Sequence, residues 1–234
     1  MSPICHHGTG LAENNRNTQW RWDPHKQLVG KLGVPNLQIL NQQDLAALVA
    51  MRRSVWAAIA AAYDWTGVKS VVDIGAGAGA LLASIVAENP GIRGVLFDRA
   101  DVLPDADHLL NGRGVRKRCE LVGGSFFEPM EVEGDVWILS QVLHDWPDRE
   151  CRRILARCRE RMYSGNRLLV VEMVPVPGQP DVGIALLDMA MMIFGGEARQ
   201  RTEDEYNELF AATGFGPARV LATGTAFNIL ETKP

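Results

Sequence analysis

Between Ser70 and Val174 the chain alternates short apolar runs with stretches of helical spacing. The runs are SVVDIG (70–75), GVLFD (94–98), CELVG (119–123), DVWILS (135–140) and RLLVVEMV (167–174). Runs this short and this uniformly apolar read as strands buried on both faces. Helix-like segments opening near Gly79, Asp101, Asp148 and Asp181 would supply the cover. Such alternation predicts an α/β fold with a mostly parallel sheet between two helical layers. After Thr202 the rhythm changes. TEDE carries a capping-box pattern, Gly214 stops the helix, and FGPARVLAT and AFNILET follow on either side of Gly224. Two strands joined so closely must pair antiparallel, so the expected sheet has seven strands and ends in an antiparallel hairpin.

Ahead of the first strand, residues 41–64 are Ala-rich, free of Gly and Pro, and place Leu45, Leu48, Val49, Val55, Trp56, Ile59 and Tyr63 at near-helical spacing. That predicts one long helix. Residues 1–40 show no apolar period and read as an N-terminal arm, flexible or docked on a partner, with residues 41–234 as the second domain. Trp20 and Trp22 suit docking on the body or on a partner chain. Cys5-His6-His7 lacks the second ligand group that a metal site needs.

At 234 residues the chain can bury a full core. Its formal net charge of −4 argues against a nucleic-acid grip, which needs a basic surface to displace counterions. Arginines do cluster at 113–118 and 149–161. Behind the second cluster Ile154, Leu155, Cys158 and Met162 recur at helical spacing, so it reads as the wet side of an amphipathic helix. The longest unbroken apolar stretch, Val55–Tyr63, is far shorter than the roughly 20 residues of a membrane span. Cys5, Cys119, Cys151 and Cys158 form no framework spacing, and the first residues carry no apolar signal core, so the expected location is the cytoplasm.

Two features point to a ligand. Asp73-Ile74-Gly75-Ala76-Gly77-Ala78-Gly79 ends a strand and opens a helix, where exposed amides and close chain approach make a seat. Asp98 ends the next strand, suited to a ribose diol. Gly75, Gly77 and Ala80 also fit the relaxed dinucleotide pattern, so the pair indicates an adenosine-containing cofactor of either kind. Asp73, an acid just before the loop, favours a ligand with an amino group and a sulfonium over a pyrophosphate. S-adenosylmethionine fits better than NAD.

At Leu143-His144-Asp145-Trp146-Pro147-Asp148 the chain resembles the metal-independent small-molecule O-methyltransferases of plant and actinobacterial secondary metabolism. YDWTGVKSVVDIGAGAGALL, GVLFD, GGSFFEP, LLVVEMV, DMAMM and RTEDEYNELFAATGF agree in order. The resemblance implies a Rossmann-like class I methyltransferase fold, S-adenosylmethionine as cofactor with S-adenosylhomocysteine as product, and methyl transfer to a hydroxyl of a small aromatic or polyketide-like metabolite. By the same resemblance His144 is the general base, Glu172 orients it, and Gln200 stands where relatives carry a second glutamate. Asp73, Gly75, Gly77, Asp98, Ser125, Phe126, Ser140, Gln141 and Trp146 fall at cofactor positions, and Asp145, Met191 and Met192 at the acceptor pocket. No metal is implied.

Three positions that are charged in relatives are neutral here: Ser125 for an aspartate, Ser140 with Gln141 where Lys or Arg is usual, and Gln200 for glutamate. Relatives also begin with a helical domain that pairs across a dimer, and residues 1–40 do not resemble it. Three expectations follow: an O-methyltransferase; the same scaffold turned to hydroxylation, decarboxylation or pericyclic closure; or a subunit completing a separate chain. The partners expected are a small-molecule substrate and either a second copy or a chain supplying the helical domain, with no nucleic acid and no membrane.

Overall fold

The apolar runs become the strands of one seven-stranded sheet. In the computed structural model, residues 53–178 and 198–234 are described, all within the unit Gln42–Pro234. The arm at residues 1–40, the first part of the long helix, the helix expected near Asp181, and Met191 and Met192 lie outside the described residues. The strands are β1 (Ser70–Ile74), β2 (Arg93–Asp98), β3 (Cys119–Gly123), β4 (Val136–Ser140), β5 (Arg167–Glu172), β6 (Arg219–Ala222) and β7 (Asn228–Thr232). Their order is β3-β2-β1-β4-β5-β7-β6. β1 to β5 are parallel, and β7 runs antiparallel to both β5 and β6, as the closing hairpin requires.

Period-two alternation divides the strand side chains between two cores. Val71, Val136, Ile138, Leu169 and Val171 pack under the helical stretch at residues 53–61 (α1), α2 (Ala80–Glu88) and α3 (Leu103–Gly112). Val72, Ile74, Trp137, Leu139, Leu168 and Val170 pack under α4 (Asp148–Arg161) and α5 (Glu203–Ala212). Both layers predicted from the alternation are present. Ile154, Leu155 and Cys158 are the buried stripe of α4. The arginines on its other side tie down neighbouring loops: Arg153 lies over the Phe127 ring, Arg157 donates to the Phe127 carbonyl, and Arg159 donates to that of Gly214. The Thr202 capping box closes in both directions, with Glu205 N donating to Thr202 Oγ1 and Thr202 N to Glu205 Oε2. Caps of this kind stabilise by about 1 kcal/mol.

Several boundaries differ from expectation for identifiable reasons. The first helix stops at residue 61, not 64: Trp65 Nε1 takes the carbonyl of Ala60 at 2.7 Å, and Tyr63 turns inward to donate to Glu231 Oε1 at 2.9 Å. α3 opens at Leu103, two residues past Asp101, with Pro104 in its first turn. Asp135 is outside β4 because its carboxylate accepts from the amides of Lys69 and Ser70 at the start of β1. Met162 is buried just beyond the last residue of α4. β5 ends at Glu172, its last paired residue, which faces Asn228. No helix of the described residues is long and apolar enough to cross a membrane.

Candidate active site

Strand order reverses between β1 and β4, and open parallel sheets bind ligands beyond the carboxyl ends of their strands at such a point. The ends of β1, β2, β4 and β5 bring Asp73, the glycine loop, Asp98, Ser140, Gln141 and Glu172 to that edge. Gly75 and Gly77 have φ of 69° and 57°, in the left-handed region. A Cβ on Gly75 would stand 2.9 Å from Val142 Cγ2, whereas one on Gly77 would meet nothing within 4 Å. The backbone at Gly77 therefore borders open space. Asp98 Oδ2 accepts from Gly77 N and Oδ1 from Arg99 N, each at 2.7 Å, so the acid that ends β2 also shapes the loop. Its carboxyl is held above the usual range, by burial, against these two hydrogen bonds.

Asp73 is 1% exposed, and its carboxyl is pushed up to about 8, by burial first and then by the Asp98 charge. Asp73 Oδ1 and Ser140 Oγ are both buried without a hydrogen-bond partner, a condition that usually marks a missing ligand or water. Gln141, directly after β4, has φ 54°, the one positive value outside glycine among the described residues. Strain of this kind concentrates at ligand sites.

Ser125 is exposed, and its Oγ accepts from Phe127 N at 3.3 Å. Phe126 lies against the position a Gly75 Cβ would take and meets Trp146 edge-on at 5.8 Å between centroids. Phe127 meets the same indole at 4.8 Å. Nothing in the sequence marked Phe127 beyond its place in the Phe-Phe pair, yet it completes the three-ring cluster.

His144 stands on a single 3-10 turn, Leu143–Asp145. Its Nδ1 is 2.7 Å from Glu172 Oε2. Glu172 is fully buried, and its Oε1 accepts from the amides of Leu143 at 3.0 Å and His144 at 3.3 Å. One carboxylate thus holds both the turn and the ring. Because an ionised carboxylate only accepts, Nδ1 carries the proton, and in the neutral ring Nε2 keeps the lone pair. Asp145 Oδ1 is 3.4 Å from that nitrogen. Burial alone would lower the imidazole pKa. The charge and hydrogen bond of Glu172, with Asp145 adding to them, reverse this and raise it to about 9, while Arg201 pushes it down.

Gln200 is 5% exposed and lies between two residues that grip the same turn. Arg199 N donates to the His144 carbonyl at 2.9 Å, and Arg201 donates to the carbonyls of Leu143 and Trp146. In the sequence Arg201 stands only as the first residue of RTEDEYNELFAATGF, with no role given to it. The buried cysteines 119, 151 and 158 have thiols raised by burial, the last two to about 12, and are inert. Among the described residues no group of three or more His, Cys, Asp or Glu is placed to hold a metal ion.

A positive-φ glycine loop with open space beside it, orphaned oxygens on Asp73 and Ser140, and an acid at the end of β2 fit a cofactor with an adenosyl group, an amino-acid tail and a positive centre. Joined to this seven-stranded topology, they place the chain in the class I methyltransferase fold, with a site that fits S-adenosylmethionine. The chain belongs to the O-methyltransferase domain family, whose model matches residues 40–216. It is 44% identical over 177 residues to the phenazine O-methyltransferase PhzM of Lysobacter antibioticus, covering 76% of this chain and 52% of that protein. It is 34% identical over 207 residues to the aclacinomycin 10-hydroxylase RdmB of Streptomyces purpurascens, covering 81% of this chain and 55% of the relative. A solved O-methyltransferase from neocarzinostatin biosynthesis, in complex with S-adenosylmethionine and 2-hydroxy-5-methyl naphthoic acid, matches with a TM-score of 0.66 and 30% identity. That match covers 82% of this chain and 60% of that one. The chain spans about half the length of the curated relatives it matches.

Proposed function

We propose that this chain transfers the methyl group of S-adenosylmethionine to a hydroxyl of a small aromatic or polyketide-like secondary metabolite, with His144 as general base. The observation that carries the reading is the 2.7 Å contact of His144 Nδ1 with a fully buried Glu172, which leaves Nε2 as the proton acceptor. The bound cofactor supplies an electrophilic methyl on a sulfonium. Everything else falls to the chain. Nε2 takes the acceptor's hydroxyl proton, Glu172 stabilises the imidazolium, and the proton then leaves to solvent. Asp73, Gly75, Gly77 and Asp98 hold the methionine and ribose portions, Ser125, Phe126 and Trp146 the adenine side, and Ser140 and Gln141 the rim after β4. Asp145, Met191 and Met192 face the acceptor, and Gln200 brackets the histidine. In this reading residues 41–234 are the catalytic domain of a cytoplasmic protein. Its partners are the small-molecule acceptor and either a second copy or another chain.

A second reading, a scaffold turned to other chemistry, is favoured by the match to the aclacinomycin 10-hydroxylase and by neutral Ser125 and Ser140. The two separate in one experiment. S-adenosylmethionine and S-adenosylhomocysteine are titrated by calorimetry with mass measured in solution, then hydroxylated phenazines and naphthoic acids are offered as acceptors. Micromolar binding and a product heavier by one methylene, formed in step with S-adenosylhomocysteine, are expected. Binding without methylated product favours the second reading, and absence of binding at millimolar cofactor overturns the first.

Gly77→Ala tests the seat itself. Alanine at φ 57° costs about 1 kcal/mol, so the midpoint of melting falls by a few degrees. Its Cβ enters the open space, so the Kd for S-adenosylmethionine rises at least about tenfold, a loss of 1.4 kcal/mol or more. A variant that binds as the parent does would remove the loop from the cofactor site.

A further inference from the structure

The turn that carries His144 has its amides on Glu172, but its carbonyls face the other way, toward the segment before α5. Arg201, 0% exposed, fills that side. Its Nη1 donates to the Leu143 carbonyl at 2.9 Å and its Nη2 to the Trp146 carbonyl at 2.7 Å. Nε and Nη2 donate to Asp148 Oδ1 at 3.0 and 2.8 Å. The two carbonyls also accept from Cys151 Sγ at 3.2 and 3.3 Å. A buried guanidinium is costly unless every donor is used and its charge is matched. Here its fork spans both ends of one short turn, and its counter-charge stands at the first residue of α4.

We propose that Arg201 is the positioning residue of the His144 base, setting the height of the imidazole by clamping the Leu143 and Trp146 carbonyls and, with Asp148, setting the charge the ring feels from behind. The inference rests on the reading of His144 as the base. The charged groups facing His144 are Glu172 of β5, Asp145 of its own turn, and Arg201 from the segment before α5, with Asp148 behind the arginine and Arg199, paired with Glu205 of α5, 3.7 Å from the same Asp148 oxygen. Cys151 of α4 and Tyr206 of α5 also flank Arg201 and are held neutral by burial. Removing the arginine charge makes protonation of the imidazole easier, and removing the Asp148 charge makes it harder. The signs are opposite, which a merely loosened turn cannot produce.

The test needs no acceptor. In ligand-free full chain labelled with ¹³C-histidine, the His144 resonance is assigned by its loss in His144→Gln, and its titration is compared in the parent, Arg201→Met, Arg201→Lys and Asp148→Asn. The expected result is a midpoint raised by about half a unit or more in Arg201→Met, lowered in Asp148→Asn, and near the parent's in Arg201→Lys. Shifts of the same sign in the methionine and asparagine variants, or no shift in either, overturn the proposal. If Arg201→Met does not fold, the Asp148→Asn shift alone decides it, downward for and absent or upward against. Once a turned-over acceptor is in hand, Arg201→Lys lowers kcat with the cofactor Kd unchanged. Absence of methyl transfer in the parent would sink the function and leave the titration standing.

Discussion

His144→Ala loses about 10²–10⁴ of the methyl-transfer rate while binding S-adenosylmethionine as tightly as the parent, because in the proposed mechanism the lone pair it removes acts on the acceptor's proton and touches none of the proposed cofactor loop. The pH profile identifies the group. Below about pH 9 the imidazole is mostly protonated and unable to accept, so kcat/KM of the parent climbs tenfold per unit through neutrality and levels as the pH passes about 9. In the variant that limb disappears. The comparison is a steady-state profile from pH 6 to 10 beside calorimetry. An unchanged rate, or a profile that keeps its limb, would assign the proton transfer elsewhere.

Glu172 separates orientation from stability. Glu172→Ala leaves an imidazole that burial holds neutral, and two turn amides, facing an emptied pocket. Breaking a buried pair in this way costs about 3–5 kcal/mol, and for a chain of this size each kcal/mol is about 2–4 °C, so melting falls by roughly 10 °C. Glu172→Gln fills the pocket but carries an amide NH₂ toward Nδ1. The ring then answers by moving its proton to Nε2, which disables the base in a folded protein. A rate loss of about 10²–10⁴ with most of the melting temperature retained is expected. Linkage gives a further signature. The histidine's pKa rises from 6.5 unfolded to about 9 folded, so the pair's contribution is complete below pH 6.5 and is lost as pH rises through about 9. Melting curves of the parent flatten toward alkaline pH by that amount, and those of Glu172→Gln do not. A glutamine variant that is fully active at neutral pH would show that the carboxylate is only a packing group.

Much of this could be read in the chain before any coordinates. The sheet, its hairpin and the acid ending β2 follow from short apolar runs and from turn residues, which are local properties. The His144–Glu172 pair was found only through its family resemblance, since its partners stand 28 residues apart, one on a 3-10 turn and one at the end of β5. Arg201 opens one of the stretches that carry the resemblance, but nothing local showed its burial. Its burial is set by carbonyls 55 and 58 residues away, and no periodicity reports on contacts of that range. Tyr63 fell on the helical stripe in the sequence but leaves it, because a hydroxyl partner on β7 outweighs one more helical turn.

Surface loops that carry reactive groups ordinarily fluctuate on their own, with backbone amides that trade hydrogens with water long before the fold opens. The His144 turn is built differently. Its two amides end on a carboxylate inside the sheet, and its carbonyls end on a buried guanidinium, so the turn can open only when β5 and the segment before α5 do. The proposed base therefore sits on a turn that opens with the sheet around it and not on its own.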